Sequence, residues 1–402
     1  MCYGRRFSRG GRTILKQAVI LCGGQGTRLG ELTEDVPKPL LEVGDRPFLD
    51  HLIQEITRWG FERILLLGGY QGEMLKAMYD GVTFNHTSCQ VVLESQPLGT
   101  GGALVNAEEH LDDHFMLFNG DSWIDYDLTE LMSKKPLGIH MIGRYSSNAQ
   151  RHETLDINKD RIKDILERGK QSKGFINSGV YVINKDIIPV NPLHPVESFS
   201  FEHDLIPIIV RRGMVTASIA NSSTFFIDIG IPEDYERAQI EVMKHRTRPA
   251  LFIDRDNTLT YDREGYTHHP DDMEFKPGAI EMIKHANHMG YYVFVVTNQG
   301  GVTKGQYEEH YILEFHRKMQ YTLAEHGAHI DALEYEIELD SRRRKPRPGM
   351  LEDLIEAWPV DLGRSIMIGD KEADAEAGFR AGIVGLQWVG GDLFEMFEEY
   401  IR

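Results

Sequence analysis

The chain has 402 residues, of which 62 are acidic and 44 basic, giving a formal charge of −18, with 41% hydrophobic and 26% charged residues. At about 100–200 residues per domain this length exceeds one ordinary domain, and the composition is that of a folded globular protein rather than a disordered one. No apolar run approaches the roughly 20 residues of a bilayer span, which excludes a transmembrane protein, and the acidic surplus opposes nucleic-acid binding.

Residues 1–16 carry Arg5, Arg6, Arg9, Arg12 and Lys16 with no apolar stretch behind them. They read as a solvated, disordered basic tail, and the chain as cytoplasmic. The cysteines are Cys2, Cys22 and Cys89, without a CxxC pair, so neither a disulfide scaffold nor a cysteine-built zinc site is expected. From residue 17 onward short apolar runs (18–21, 64–67, 115–118, 180–183) alternate with stretches of helical spacing such as Leu52, Ile53, Ile56 and Trp59. The alternation restarts at 251–253, 291–296 and 366–368, with Ala279, Ile280, Ile283 and Ala286 as a second helical stripe. This predicts an α/β protein of two domains, each a mainly parallel sheet with flanking helices. Strands in such sheets are buried on both faces and appear as continuous apolar runs. Lys244-His245-Arg246-Thr247-Arg248-Pro249 is charged and ends in proline, so domains are expected at 17–245 and 249–402, joined by a linker at 246–248.

The first strand ends in Leu21-Cys22-Gly23-Gly24-Gln25-Gly26-Thr27-Arg28-Leu29, a loop whose glycines let backbone N–H groups approach phosphate oxygens. Pro37-Lys38-Pro39-Leu40-Leu41-Glu42-Val43 follows, then Asp45-Arg46-Pro47-Phe48-Leu49. Together these segments resemble the sugar-phosphate nucleotidyltransferases, with a Rossmann-like fold, and Glu167-Arg168-Gly169 with Gly174-Phe175-Ile176-Asn177-Ser178-Gly179-Val180-Tyr181 further along resembles the heptose 1-phosphate guanylyltransferase branch. The resemblance implies attack of a sugar 1-phosphate on the α-phosphorus of a nucleoside triphosphate, which needs alignment and charge neutralisation more than a covalent nucleophile. It implies Arg28 on the triphosphate and Lys38 at the α-phosphate. Leu21, Gly23, Gly24, Gly26 and Thr27 would hold the nucleotide together with Gln96, Gly99, Thr100 and Gly101 of a second glycine-rich loop. Asp121, after the run 115–118, and Asp228, of Asp228-Ile229-Gly230, would hold Mg²⁺. Glu167, Arg168, Asn177 and Gly179 would meet the sugar phosphate, with Arg168 standing where lysine is usual.

In the second half, Asp254-Arg255-Asp256-Asn257-Thr258 follows a buried strand. Two carboxylates two residues apart on extended chain point the same way, and one can attack phosphorus while the other moves protons. Thr297-Asn298-Gln299-Gly300-Gly301, Arg344-Lys345-Pro346-Arg347-Pro348-Gly349-Met350 and Ile368-Gly369-Asp370 follow in order. The set resembles haloacid dehalogenase phosphatases with a Rossmannoid fold, most closely the heptose 1,7-bisphosphate 7-phosphatases and histidinol-phosphate phosphatases. It implies Asp254 as nucleophile and Asp256 as acid/base, with Thr297, Asn298 and Lys345 on the phosphate. Asp254, Asp256 and Asp370 would bind Mg²⁺, with Asp374 behind them. Asn257 stands where glycine is usual, and asparagine tolerates the left-handed conformation. The segment 335–343 lacks cysteine and histidine, so no zinc is expected. His285, His288, His310 and His316 fall in no ligand frame and read as solvated or capping, with His268 and His269 near the substrate loop.

The two resemblances imply an enzyme that removes one phosphate from a heptose bisphosphate and then couples the monophosphate to a nucleotide, GTP being favoured. Another nucleotide (UTP, CTP or ATP), another sugar, or one domain kept only for regulation are the competing readings. The expected partners are small molecules, with no nucleic acid or membrane; the oligomeric state is left open.

Overall fold

The computed structural model describes residues 14–189, 198–263 and 265–402; most of the expected tail lies outside them. Leu15 is buried and its N–H donates to the Met132 carbonyl, so residues 14–16 pack with the first domain.

The first domain is built on a ten-stranded sheet. Its site-bearing half is parallel, as expected. Gln17–Leu21 lies between Arg63–Gly68 and His114–Asn119, and Thr87–Leu93 extends the same side. Ala18, Val19 and Ile20 are 0% exposed, the two-sided burial that makes this strand a continuous apolar run. The other half is mixed: Gly174–Asn184 runs antiparallel to both His114–Asn119 and Ile139–Ser146, while Val215–Ala220 is parallel to the latter. A separate antiparallel pair joins Phe226–Asp228 to Ser122–Ile124 and sets Asp228 opposite Ser122.

The second domain has a five-stranded, wholly parallel sheet. Ala250–Ile253 is central, flanked by Tyr292–Asn298 and Ile366–Gly369, with Ile253 opposite Val295 and Ile368. All three strands therefore release their chains at one carboxyl edge, where open α/β sheets place ligands. The helix Ala279–His288 buries Ala279, Met282, Ile283 and Ala286 against this sheet.

Arg246 and Arg248, between the sheets, are packed rather than left in solvent. Arg246 ends the helix Pro232–Arg246, is 1% exposed and donates to His51 and Gln54 of the helix Phe48–Thr57. Arg248 reaches Asp125 at 2.6 Å. Beside them Arg58 bonds Glu55 at 2.6 Å and Asp331 of the second domain, and lies 5.2 Å above the Tyr292 ring. The helix His310–Glu325 contributes Gln320, which donates to the Arg58 carbonyl, and Tyr321, which donates to Glu62.

Candidate active sites

In the first domain the loop after Leu21 opens a cleft of 480 Å³ lined by Gly23, Gly24, Lys38, Glu94, Thr100 and Asp121, among others. Gly26 turns this loop at φ 65°, where an added Cβ would come 2.9 Å from Thr33. Glycine alone is comfortable there. The antiparallel pair brings Asp228 beside Asp121, and Lys38 Nζ sits between them, 2.5 Å from Asp121 Oδ2 and 3.6 Å from Asp228 Oδ1. Arg28 joins the group: a Cβ on Gly230 would lie 2.8 Å from Asp228 Oδ1, 3.0 Å from Lys38 Nζ and 3.4 Å from Arg28 Nη2. The glycine of the Asp-x-Gly turn thus leaves the space that these charged groups share, and its N–H donates to Asp228 Oδ1 at 2.8 Å. Burial and the neighbouring Asp121 charge push the Asp228 carboxyl up to about 6. Burial acts in the same direction on Asp121, but the Lys38 ammonium overrides it and holds that carboxyl low. Two carboxylates that share a single ammonium are a donor set suited to a hard divalent cation.

Other predicted residues divide between the cleft and its supports. Thr100 and Gly99 line the cleft. Gly101 lies against the Phe199 ring, 2.1 Å from where a Cβ would stand, and its N–H donates to the Phe199 carbonyl; its role here is packing. Gln96 and Thr27 are exposed and do not line the cleft. Asn177 donates to Glu202 Oε1 at 3.0 Å, which also accepts from Tyr181 at 2.5 Å and Asn119 at 3.2 Å. Gly179, at φ 78°, lets the Asn119 side chain pass. Glu167 is exposed and paired with Lys170 at 3.2 Å, and Arg168 is exposed; neither lines the cleft. Two cleft carboxylates, Glu94 and Glu202, were not foreseen.

In the second domain Lys345 Nζ lies 2.5 Å from Asp254 Oδ1, 2.7 Å from Asp374 Oδ1 and 2.7 Å from the Val296 carbonyl. Burial pushes the Asp254 carboxyl up to about 7; Lys345 opposes this, and Asp374 and Asp256 add to it. Burial works to lower the Lys345 ammonium, but Asp254 and Asp374 outweigh it and raise that group. Asp254, Asp370 and Asp374 converge, with oxygens within 4.8 Å of one another. Asp370 is raised by burial, and its Oδ1 is a buried acceptor without a partner among the described residues. An orphaned carboxylate oxygen in a cluster of three acids fits a divalent cation. Asp374 lies in this cluster, its Oδ1 2.7 Å from Lys345 Nζ and its Oδ2 accepting the Lys371 N–H at 3.0 Å. The Asp256 side chain does not: it is engaged by Arg255 at 2.7 Å and by Gln299 at 2.7 Å.

Thr297 is 0% exposed and its Oγ1 accepts from Gln299 at 2.8 Å. The Asn298 carboxamide exchanges two hydrogen bonds with the Lys345 main chain, both at 3.1 Å, so it fixes the loop that carries Lys345. Asn257 adopts φ 62°, the left-handed turn expected of it. His316 departs from expectation: it is buried, and burial first, then Arg255, holds its pKa well below the usual value.

The chain is a fusion of a nucleotidyltransferase and a haloacid-dehalogenase-type phosphatase. The nucleotidyl transferase family model matches residues 17–245, and the chain belongs to that family; the HAD-hydrolase-like model matches residues 342–390. The first part is 31% identical over 233 residues to D-glycero-alpha-D-manno-heptose 1-phosphate guanylyltransferase of Aneurinibacillus thermoaerophilus, covering 57% of this chain and 99% of that one. The second part is 40% identical over 156 residues to D-glycero-beta-D-manno-heptose-1,7-bisphosphate 7-phosphatase of Rhodopseudomonas palustris, covering 36% and 86%. The second part therefore belongs to that phosphatase family. A solved structure, HddC of Yersinia pseudotuberculosis, is 33% identical, covers 56% of this chain and 99% of its own, and superposes with a TM-score of 0.49.

Proposed function

We propose that the chain catalyses two consecutive steps on one sugar: its second domain removes the 7-phosphate of D-glycero-D-manno-heptose 1,7-bisphosphate, and its first joins the resulting heptose 1-phosphate to GMP from GTP, releasing pyrophosphate. The observation that carries this is the pairing of relatives: each half aligns with nearly a whole enzyme, and one enzyme's product is the other's substrate class.

In the phosphatase, Asp254 is the nucleophile; its raised pKa lets it be neutral or charged near pH 7, and Lys345 favours the charged form. Asp256 moves the proton. In the transferase the sugar phosphate is already anionic, so Lys38 and Arg28 align and offset charge rather than activate a base. Glu202, held by Asn119, Asn177 and Tyr181, offers acceptors for sugar hydroxyls. Mg²⁺ is the cation we assign to Asp121 and Asp228 and to Asp254, Asp370 and Asp374; when bound it supplies neutralisation of phosphoryl charge. A cytoplasmic location fits the use of a nucleoside triphosphate.

The relatives' names differ in anomer, alpha for the transferase and beta for the phosphatase. Two steps in series require both domains of this chain to accept the same one. Supplying each anomer of the bisphosphate with Mg²⁺ and each nucleoside triphosphate tests this: one anomer should yield both phosphate and pyrophosphate with GTP. Release of phosphate from one anomer and pyrophosphate only from the other would defeat the serial reading.

A further inference from the structure

The residue between the two catalytic aspartates is a buried arginine. Arg255 is 1% exposed, and its fork meets Asp256 twice, Nε to Oδ1 at 2.7 Å and Nη2 to Oδ2 at 3.0 Å. The guanidinium lies 4.5 Å from the Phe315 ring centre, its Nη1 stands 3.4 Å from His316 Nε2, and Nη2 also donates to the Thr267 carbonyl at 3.3 Å. Phe315 and His316 are buried neighbours on the helix His310–Glu325, so the arginine is clamped from outside its own loop. Asp256 Oδ2 takes a third bond from Gln299, whose Oε1 accepts from Tyr307 at 2.6 Å. Burying a guanidinium is costly unless its charge is matched, and the anion that matches it here is Asp256. Bidentate pairing fixes both the position and the plane of a carboxylate.

We propose that Arg255 is a positioning residue for the proton-transferring Asp256, holding its carboxyl in plane and stabilising the negative charge left when it gives its proton to the departing sugar oxygen. This rests on the phosphatase reading above. Asp256 enters the first half-reaction protonated and is the anion that matches Arg255 once that proton has left: an Asp254 oxygen bonds to phosphorus, the phosphorus–oxygen bond to the sugar breaks, and the Asp256 proton goes to that oxygen. In the second, water bonds to phosphorus, its proton goes to Asp256, and the phosphorus–Asp254 bond breaks to release inorganic phosphate. Arg255 steadies the carboxylate that the first half produces and the second consumes. The effect therefore depends on how much the leaving oxygen needs a proton: a sugar alkoxide needs one, and a p-nitrophenolate does not.

The test compares kcat/KM of the full-length enzyme on heptose 1,7-bisphosphate and on p-nitrophenyl phosphate, for wild type, Arg255→Met, Arg255→Lys and Gln299→Met. Met keeps the length of the side chain over Phe315 but removes the charge. Arg255→Met should lose about 30-fold or more on the sugar phosphate, within the range that acid–base catalysis supplies, and under about 3-fold on p-nitrophenyl phosphate. Arg255→Lys should fall between, restoring charge without the fork, and Gln299→Met should show a smaller skew of the same sign. Equal losses on both substrates in Arg255→Met and Gln299→Met, or no loss, would overturn the proposal. Wild type releasing phosphate from neither ester would overturn the phosphatase reading itself.

Discussion

Replacing Arg58 by methionine should loosen the junction between the two domains. The Arg58 side chain is 4% exposed and Asp331 is fully buried, and Arg58 also holds the buried Glu55 at 2.6 Å. Its removal leaves two desolvated carboxylates without their shared cation, a change that costs about 3–5 kcal/mol when one partner of a buried pair is lost. Asp331→Asn is milder. The amide keeps the shape and can still accept the Val293 N–H, which now bonds Asp331 Oδ2 at 2.6 Å, so the loss is that of a charged hydrogen bond, about 1.5–3 kcal/mol. Because the two residues touch, the double variant should cost less than the sum of the singles, with a coupling of about 0.5–3 kcal/mol. At roughly 2–4 °C per kcal/mol for domains of this size, Arg58→Met should lower the unfolding midpoint by roughly 6–20 °C. Thermal unfolding followed by circular dichroism, with both activities assayed on the same heated samples, reads this out. Arg58→Met costing no more than Asp331→Asn, or strict additivity in the double variant, would refute the reasoning.

Lys345→Met removes the ammonium that opposes the elevation of Asp254, so Asp254 should stay protonated above about 7 and phosphate release at neutral pH should fall by about 100-fold or more; unchanged release would contradict it. With chelator present, Asp254 lies at about 7 in the fold against about 3.9 unfolded. The native state then holds the extra proton between those values, and the contribution to stability is full below about 4 and lost as pH rises to about 7. Asp254→Asn should flatten that slope in melts from pH 4 to 8. Asn257→Gly should keep phosphatase activity and Asn257→Val should cost about 1–2 kcal/mol, because the site has φ 62°. Glu202→Gln should raise the transferase KM for heptose 1-phosphate more than for GTP, as followed by pyrophosphate release.

The chemistry was legible wherever a strand end and its loop carry it within a few consecutive residues. The glycine turn at Gly26, the acids after the central strands and the left-handed Asn257 are all local features, and local spacing reports them. Glu202 is different: it enters the first cleft from a segment far along the chain, held by Asn119, Asn177 and Tyr181, and no sequence spacing connects those positions. Residues 246–248 read only as a linker because charge and a closing proline are all the sequence displays there. The partners of Arg246 and Arg248, namely His51, Gln54 and Asp125, lie far back along the chain in the first domain and become neighbours only when that domain folds. His316 was misread for the same reason, since the arginine and phenylalanine around it come from another loop and its own helix. Asp256 kept its expected place in the chain, but the clamp of Arg255 and Gln299 on its carboxyl was not visible in the motif.

The central claim, two separate sites acting in series on one sugar, is tested most directly by supplying heptose 1,7-bisphosphate, GTP and Mg²⁺ to wild type, Asp254→Asn and Asp121→Asn, and following phosphate and pyrophosphate together. Wild type should release both. Asp254→Asn should release neither from the bisphosphate but regain pyrophosphate when given heptose 1-phosphate, and Asp121→Asn should release phosphate alone. Pyrophosphate release from the bisphosphate by Asp254→Asn, or loss of phosphate release in Asp121→Asn, would contradict the account.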